Sequence, residues 1–292
     1  MPGSTLKITA SALKITAARV YMSDGVRGDY RTYAEFRTRF GFVHRPGVVK
    51  ILTQPTDNSK LDKSALPTWG LSLAPHTIAR DYCRAHGIES GYSVPDQCPH
   101  ATVECSANCL QANGNGRYES AQLGRICKTV FAHTYPEAFA RIVEHEVRSN
   151  LAATLGECLH RLNVLSDRRW EVLLPRVFKL RDPLGRLARF YDYSKIPPLV
   201  RERNRPTNYH LTYSATEHTT VDAIRSMVDA GHSVAVVIRA KASELDVSTW
   251  HGMDATNGDL HDDRTQDDAG VVLLSAKGTM RRSPMAKELA AA

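Results

Sequence analysis

The sequence predicts an α/β protein: a parallel β/α barrel, partial or complete and TIM-like, behind an N-terminal extension. Three observations carry this. Short apolar runs recur between residues 158 and 278 with helical patterns between them. Strands that alternate with helices pair in parallel through right-handed crossovers. The run "SVAVVIRA" at 233–240 is apolar without alternation, which suits a strand covered on both faces. Period alone does not separate a barrel from an open sheet.

Residues 1–64 read as an extension, partly strand, 65–280 as a single barrel-like domain, and 281–292 as a disordered tail. The pentapeptide "LKITA" stands at 6–10 and again at 13–17, and both copies alternate as weak strand. "PGVVKILTQP" (46–55) and "PTWGLSLAP" (67–75) are apolar runs bounded by proline and read as strands. Residues 84–118 read as loop. Thr134 and Glu137 then make a capping-box pattern, after which Phe139, Val143, Val147, Leu151 and Leu155 step by four along one helical face to about residue 156.

"CLHRLNVLS" (158–166) reads as a strand, and Asp167 as the cap of a helix carrying Trp170, Leu173, Leu174 and Val177. "LARFYDYS" (187–194) and "NYHLTYS" (208–214) are further strands. Thr219 opens a helix with Val221, Ile224 and Val228, stopped by Gly231. Strands at 233–240 and 270–278 complete the series.

Composition bounds the function. The 292 residues are 42% hydrophobic and 24% charged, an ordinary globular balance. No run of about 18 apolar residues is present, so no membrane span is expected. The N-terminus lacks the apolar core of a signal peptide, which points to the cytoplasm. Six cysteines in that setting read as thiols or metal ligands rather than disulfides. A net charge of +7 suits a polyanionic partner, a nucleotide or nucleic acid, and equally a merely soluble surface. The arginine-rich stretches 168–189 and 200–206 could form a local patch.

Ligands of parallel α/β folds meet the carboxyl ends of the strands. Those ends are polar here. They offer Asn163, Ser166 and Asp167, then Asp192, Ser194 and Lys195, then Thr212, Ser214 and Glu217, then Arg239 and Lys241, and last Lys277. Alternation puts Asp192 on one face and Tyr191 and Tyr193 on the other, read as an acidic face and an aromatic core. Asp192 could orient a substrate, take a proton, or pair with Arg239 or Lys241. "NGDLHDDR" (257–264) gathers Asp259, His261, Asp262 and Asp263, either a divalent-cation site or a solvated acidic turn.

Cys98, Cys105 and Cys109 follow a C-x6-C-x3-C spacing. With His100, Cys83 or Cys127 they could hold zinc. Alone they could hold a four-iron cluster with one iron open, as reductive cleavage of S-adenosylmethionine requires. They could also be free thiols.

The segments "CPHATVECSANCLQANGNGR", "RLNVLSDRRWE", "FYDYSK", "NYHLTYSATE", "NGDLHDDR" and "GVVLLSAKG" together resemble the "gene product eighty-eight" family of actinobacteriophage proteins over residues 65–280. The resemblance implies a phage origin and an intracellular setting. By matching position it carries the family pattern onto Cys98, Cys105, Cys109, Asn163, Ser166, Asp167, Asp192, Lys195, Ser214 and Lys277. The chain departs at Leu110, where the family has an aromatic residue. A cysteine-bearing start before β/α units is analogous to radical-SAM partial barrels. The expectation is a phage-encoded protein that binds a metal or iron–sulfur cluster and acts on a nucleotide or nucleic acid. Asp192, Asp167 and Lys277 would do the chemistry. Asn163, Ser166, Lys195, Ser214, Arg239 and Lys241 would hold the substrate. The alternative is a non-catalytic nucleic-acid or host-factor binder with structural or free cysteines.

Overall fold

The computed structural model describes residues 21–42, 50–57, 64–112 and 117–289. In chain order its elements are α1 (Asp24–Arg39), β1 (Thr68–Gly70), α2 (His76–Ala85), α3 (Val103–Ala107), α4 (Glu119–Thr134), α5 (Pro136–Thr154), β2 (Leu159–Arg161) and α6 (Trp170–Leu173). There follow β3 (Arg189–Ser194), α7 (Pro198–Arg201), β4 (Tyr209–Ser214), α8 (Val221–Asp229), β5 (Ser233–Ile238), β6 (Thr249–Trp250), β7 (Met253–Asn257) and β8 (Gly270–Ser275).

The strands form one sheet in the order β1-β2-β3-β4-β5-β8-β7-β6. Every pair is parallel except the β6–β7 hairpin. The parallel β/α series is as expected, but the barrel is not closed. The sheet is open, with β1 and β6 at its edges. The hairpin explains this, because β6 turns back on β7 and lies at the far edge from β1.

Neighbours in register share a face of the sheet, so two layers follow from the pairing. One face carries Phe190, Asp192, Leu211, Tyr213, Val234 and Val236. It packs against α4 and α5 through a core that includes Ile126, Val130, Phe131, Ile142, Val143 and Val147. A second cluster packs Ile224 of α8 and Trp250 against Val234, Val236, Val271 and Leu273. The other face carries Tyr191, Tyr193, Thr212, Ser214, Ala235, Val237 and Leu274.

Several elements differ from expectation. The extension contains α1, capped by Ser23, which packs on α4 through Tyr33 and Phe36 against Phe131 and meets α5 through the Asp29–Arg141 ion pair and the Tyr30 hydroxyl on Glu146. The "LKITA" copies lie outside the described residues. Of the strand expected at 46–55, residues 50–55 show a lone antiparallel bridge from Thr53 to Gly70. Glu146 of α5 ties this stretch down by accepting the N–H groups of Ile51 (2.9 Å) and Leu52 (2.7 Å) and the Tyr30 hydroxyl (3.0 Å).

α3 lies inside the expected loop 84–118, and α2 fills residues just before it for which no element was expected. α4 was not read from the sequence, although Leu123, Ile126, Cys127, Val130 and Phe131 step at helical spacing. Thr134 closes α4 by donating to the Val130 carbonyl, so it does not cap α5. The helix expected after Asp167 is the single turn α6, capped without any side chain.

The tail expected to be disordered from 281 is packed as far as residue 289. Lys287 bridges to Ile238 beside β5, and Met285 and Ala286 are buried. Arg239 fastens it by donating to the carbonyls of Arg281, Ser283 and Ala286 and by pairing with Glu288. Arg239→Ala is therefore expected to release residues 281–289. Limited proteolysis with mass-spectrometric mapping should show cleavage there at least about tenfold faster than in the wild type, from the loss of several charge-assisted hydrogen bonds.

Candidate functional site

A cavity of about 280 Å³ opens at the carboxyl ends of the strands. Its floor is the Tyr193 face of the sheet, with Ser214, Ala235, Val237 and Leu274. The turns after β2, β3 and β7 supply Asn163 to Asp167, Lys195, and Gly258, Asp259, His261 and Asp262. Gly258 lies against β8, and a Cβ there would stand 2.5 Å from Val272 Cγ1. Cys98, Cys105 and Cys109, from the β1–β2 connection, line one side. Met280, and Met285 of the packed tail, line it too.

The cysteine segment is held over the cavity from two directions. Thr102 caps α3 and donates to Glu217 Oε2 at 2.8 Å, and Glu217 also accepts the Glu104 N–H. Ser283 of the tail donates to the Glu104 carboxylate. Glu217 thus secures α3 instead of contacting a ligand.

The three thiols influence one another. Burial pushes the Cys98 pKa up to about 12, with Asp167, Cys105 and Cys109 adding to the effect. Its Sγ donates to the Leu165 carbonyl at 3.7 Å. Burial raises Cys109 as well, while Arg125 and Lys195 oppose the shift. Among the described residues, no three of His, Cys, Asp and Glu are arranged to hold a metal ion. The sulfurs therefore share a cavity without forming a ready-made ligand set. Cys83 and Cys127 are buried in the apolar core, and His100 lies outside the cavity lining, so none is placed to complete a zinc site there. Because the thiolate is the nucleophile, metal-free Cys98 should react with iodoacetamide at least about tenfold more slowly than an exposed thiol, read by site-resolved mass spectrometry.

The polar strand ends converge in part. Asn163, Ser166, Asp167, Lys195, Ser214 and Lys277 all line the cavity. Several are already engaged. Asn163 Oδ1 accepts from Ser166 Oγ, the Arg168 N–H and Trp170 Nε1, at 2.8–2.9 Å. Asp167 does not cap a helix. It ties the β2 turn to β3 by accepting Ser194 Oγ (2.9 Å) and the Lys195 N–H (2.7 Å). Lys277 pairs with Asp259 at 2.7 Å. The Lys195 ammonium has no hydrogen-bond or ion-pair partner among the described residues.

Asp192 is fully buried and does not line the cavity. Its carboxylate accepts the N–H groups of Asn163 (2.7 Å) and Leu162 (3.3 Å) and the Tyr209 hydroxyl (2.7 Å). The ion pair with Arg239 or Lys241 is not formed. Alternation had put Asp192 and the tyrosines on opposite faces, which holds, but the tyrosine face is the cavity side and the Asp192 face the packed core. Arg239 is turned into the tail, and Lys241 lies outside the cavity, so neither is placed to hold a ligand there.

Two cavity residues were not expected from the sequence. Arg161 donates to Asp262 Oδ2 at 2.8 Å, beside the Tyr191 hydroxyl at 2.9 Å on the same oxygen. Its guanidinium lies 4.9 Å from the Tyr193 ring centre. Burial works to lower the Arg161 pKa, but Asp262 and the tyrosines outweigh it and hold the group charged. Tyr193 itself walls the cavity. The acidic turn exposes Leu260 and His261, while its carboxylates are engaged within the protein. Asp259 accepts from Lys277 and the Ser275 N–H, Asp262 from Arg161 and Tyr191, and Asp263 from Thr265.

No helix of the described residues is long and apolar enough to cross a membrane. A family model described as gene product 88 matches residues 50–289, and the chain belongs to that family. No curated protein and no solved structure matches it.

Proposed function

For this member of the gene product 88 family, we propose an enzyme that binds a nucleotide, or the end of a nucleic acid, in the cavity at the strand ends. Beside it, Cys98, Cys105 and Cys109 would hold a metal or iron–sulfur centre. The observation that carries this reading is that three thiols of one short connection line a single cavity at the carboxyl ends of a parallel sheet. That is where α/β folds bind their ligands. Cys98 and Cys109 are held as neutral thiols by burial, so ligation has to displace protons and draw the sulfurs together. Three thiolates would leave one iron of a four-iron cluster open to a small molecule such as S-adenosylmethionine.

A polymer laid across the surface is less well supported. Non-specific binding to a duplex needs unpaired cations along one face. The arginines of 168–189 and 200–206 are largely consumed internally. Arg169 and Arg201 pair with Glu171, Arg186 with Asp182, Arg189 with Glu157, and Arg205 with Glu202. Those pairings favour a ligand that enters the cavity.

Protein purified without oxygen and reconstituted with ferrous iron and sulfide is expected to be brown and to retain both after desalting. Protein that retains neither iron nor zinc under those conditions overturns the metal-centre reading.

A further inference from the structure

His261 lines the cavity at the turn after β7, and the residue behind it constrains which hydrogen it presents. Arg264 is fully buried and pairs with Asp267 at 3.0 Å. Its Nη2 lies 2.9 Å from His261 Nδ1 and 2.5 Å from the His261 carbonyl oxygen. A guanidinium can only donate. Nδ1 must therefore accept, and a neutral imidazole so held carries its hydrogen on Nε2. Among the described residues Nε2 has no partner.

We infer that the His261 Nε2–H and the Lys195 ammonium are paired donors for an anionic oxygen, phosphate or carboxylate, of the ligand in this cavity. This deepens the cavity reading above and rests on it, but not on the metal centre. Arg264 is a positioning residue, with Asp267 as its counter-ion. The surroundings fit donors rather than a cation site. Asp259 and Asp262, the carboxylates nearest in sequence that line the cavity, are taken by Lys277 and Arg161. An Nε2 that carries hydrogen has no lone pair for a metal.

The test uses full-length, metal-free protein labelled with nitrogen-15 in its histidines. The His261 signal is identified by its loss in His261→Gln. Above neutrality, long-range proton–nitrogen correlation should show Nδ1 unprotonated and Nε2 protonated. Inorganic pyrophosphate and malonate are then titrated separately. At least one should shift the Nε2 signal, and His261→Ala and Lys195→Ala should each weaken its binding by about tenfold or more. Response to pyrophosphate alone assigns a phosphate ligand, and response to malonate alone a carboxylate. Arg264→Gln should give mixed tautomers, which a purely structural role would not produce. Should that variant fail to fold, the wild-type tautomer alone decides. An Nδ1–H tautomer, a mixture like that of the exposed His218, or binding of neither probe overturns the inference. Absent iron leaves this result untouched, so failure of the metal centre is read separately.

Discussion

Asp192→Ala is expected to destabilise the protein by about 3–5 kcal/mol, measured as a lowered urea midpoint with unchanged slope. The carboxylate is fully buried and accepts two backbone N–H groups, of the adjacent Leu162 and Asn163, and the Tyr209 hydroxyl from a second stretch of chain. Alanine strands all three donors away from water. Because donors from the end of β2 and from β4 meet at this one side chain, the floor of the cavity depends on it from below.

The same residue gives stability a pH dependence of definite sign. Burial raises the Asp192 pKa from 3.8 to about 7, against the opposing pull of Arg161, Tyr209 and the Asn163 N–H. Between those values the folded state holds more protons at this site than the unfolded state. The contribution is therefore complete below 3.8 and is lost as the pH rises through about 7. Asp192→Asn gives up one acceptor but carries no charge, and should cost about 1–3 kcal/mol. Urea unfolding at about pH 5 and about pH 8 should show the gap between wild type and Asp192→Asn narrowing at the higher pH. A catalytic Asp192 would behave otherwise, with Asp192→Asn as stable as wild type at both pH values and inactive.

Asp192 also shows what a sequence can and cannot reveal about such a fold. Alternation in "FYDYSK" gives parity, and the parity was right. Which parity faces the core depends on partners elsewhere in the chain. Tyr209 and the N–H groups of 162 and 163 claim the carboxylate, while Asp262 claims the Tyr191 hydroxyl. Periodicity located β3, β4, β5, β8, α5 and α8 because each is long enough to show its repeat. It overlooked α4, whose apolar stripe at Leu123, Ile126, Cys127, Val130 and Phe131 is interrupted by the buried polar residues Arg125 and Thr129. Closure of the sheet is a property of strand pairing, and the β6–β7 hairpin that occupies the edge is only a few residues long.

The candidate site divides along the same line. Residues immediately after a strand end, such as Asp167, Lys195, Ser214 and Lys277, reach the cavity because the topology alone carries them there. Arg239 and Lys241 fail that rule because a distant segment intervenes. The chain around Lys287 runs beside β5 and takes the Arg239 N–H into its own pairing, so the guanidinium follows the tail. Nothing local in "SVAVVIRAK" records a partner nearly fifty residues later.

Cys98→Ala, Cys105→Ala and Cys109→Ala are each expected to lower the iron bound on reconstitution by at least about half, since a cluster held by three thiolates loses a ligand in each case. Cys83→Ala and Cys127→Ala are the controls. Their sulfurs lie in the core, and Gly91 leaves room for Cys83 Sγ, which a Cβ at that position would meet at 2.1 Å. These two variants should keep their iron and lose about 1 kcal/mol of stability from the vacated space. The contrast matters because a thiol can retain iron without any built site. Adventitious iron would follow exposure and fall to a similar degree with any accessible cysteine. A cavity centre instead links the three losses to one another, so that a double variant such as Cys98→Ala with Cys109→Ala binds little less iron than either alone. Equal iron in wild type and all three cavity variants, or equal loss in Cys83→Ala, removes the three-thiolate centre and leaves the cavity to its oxygen-recognising donors.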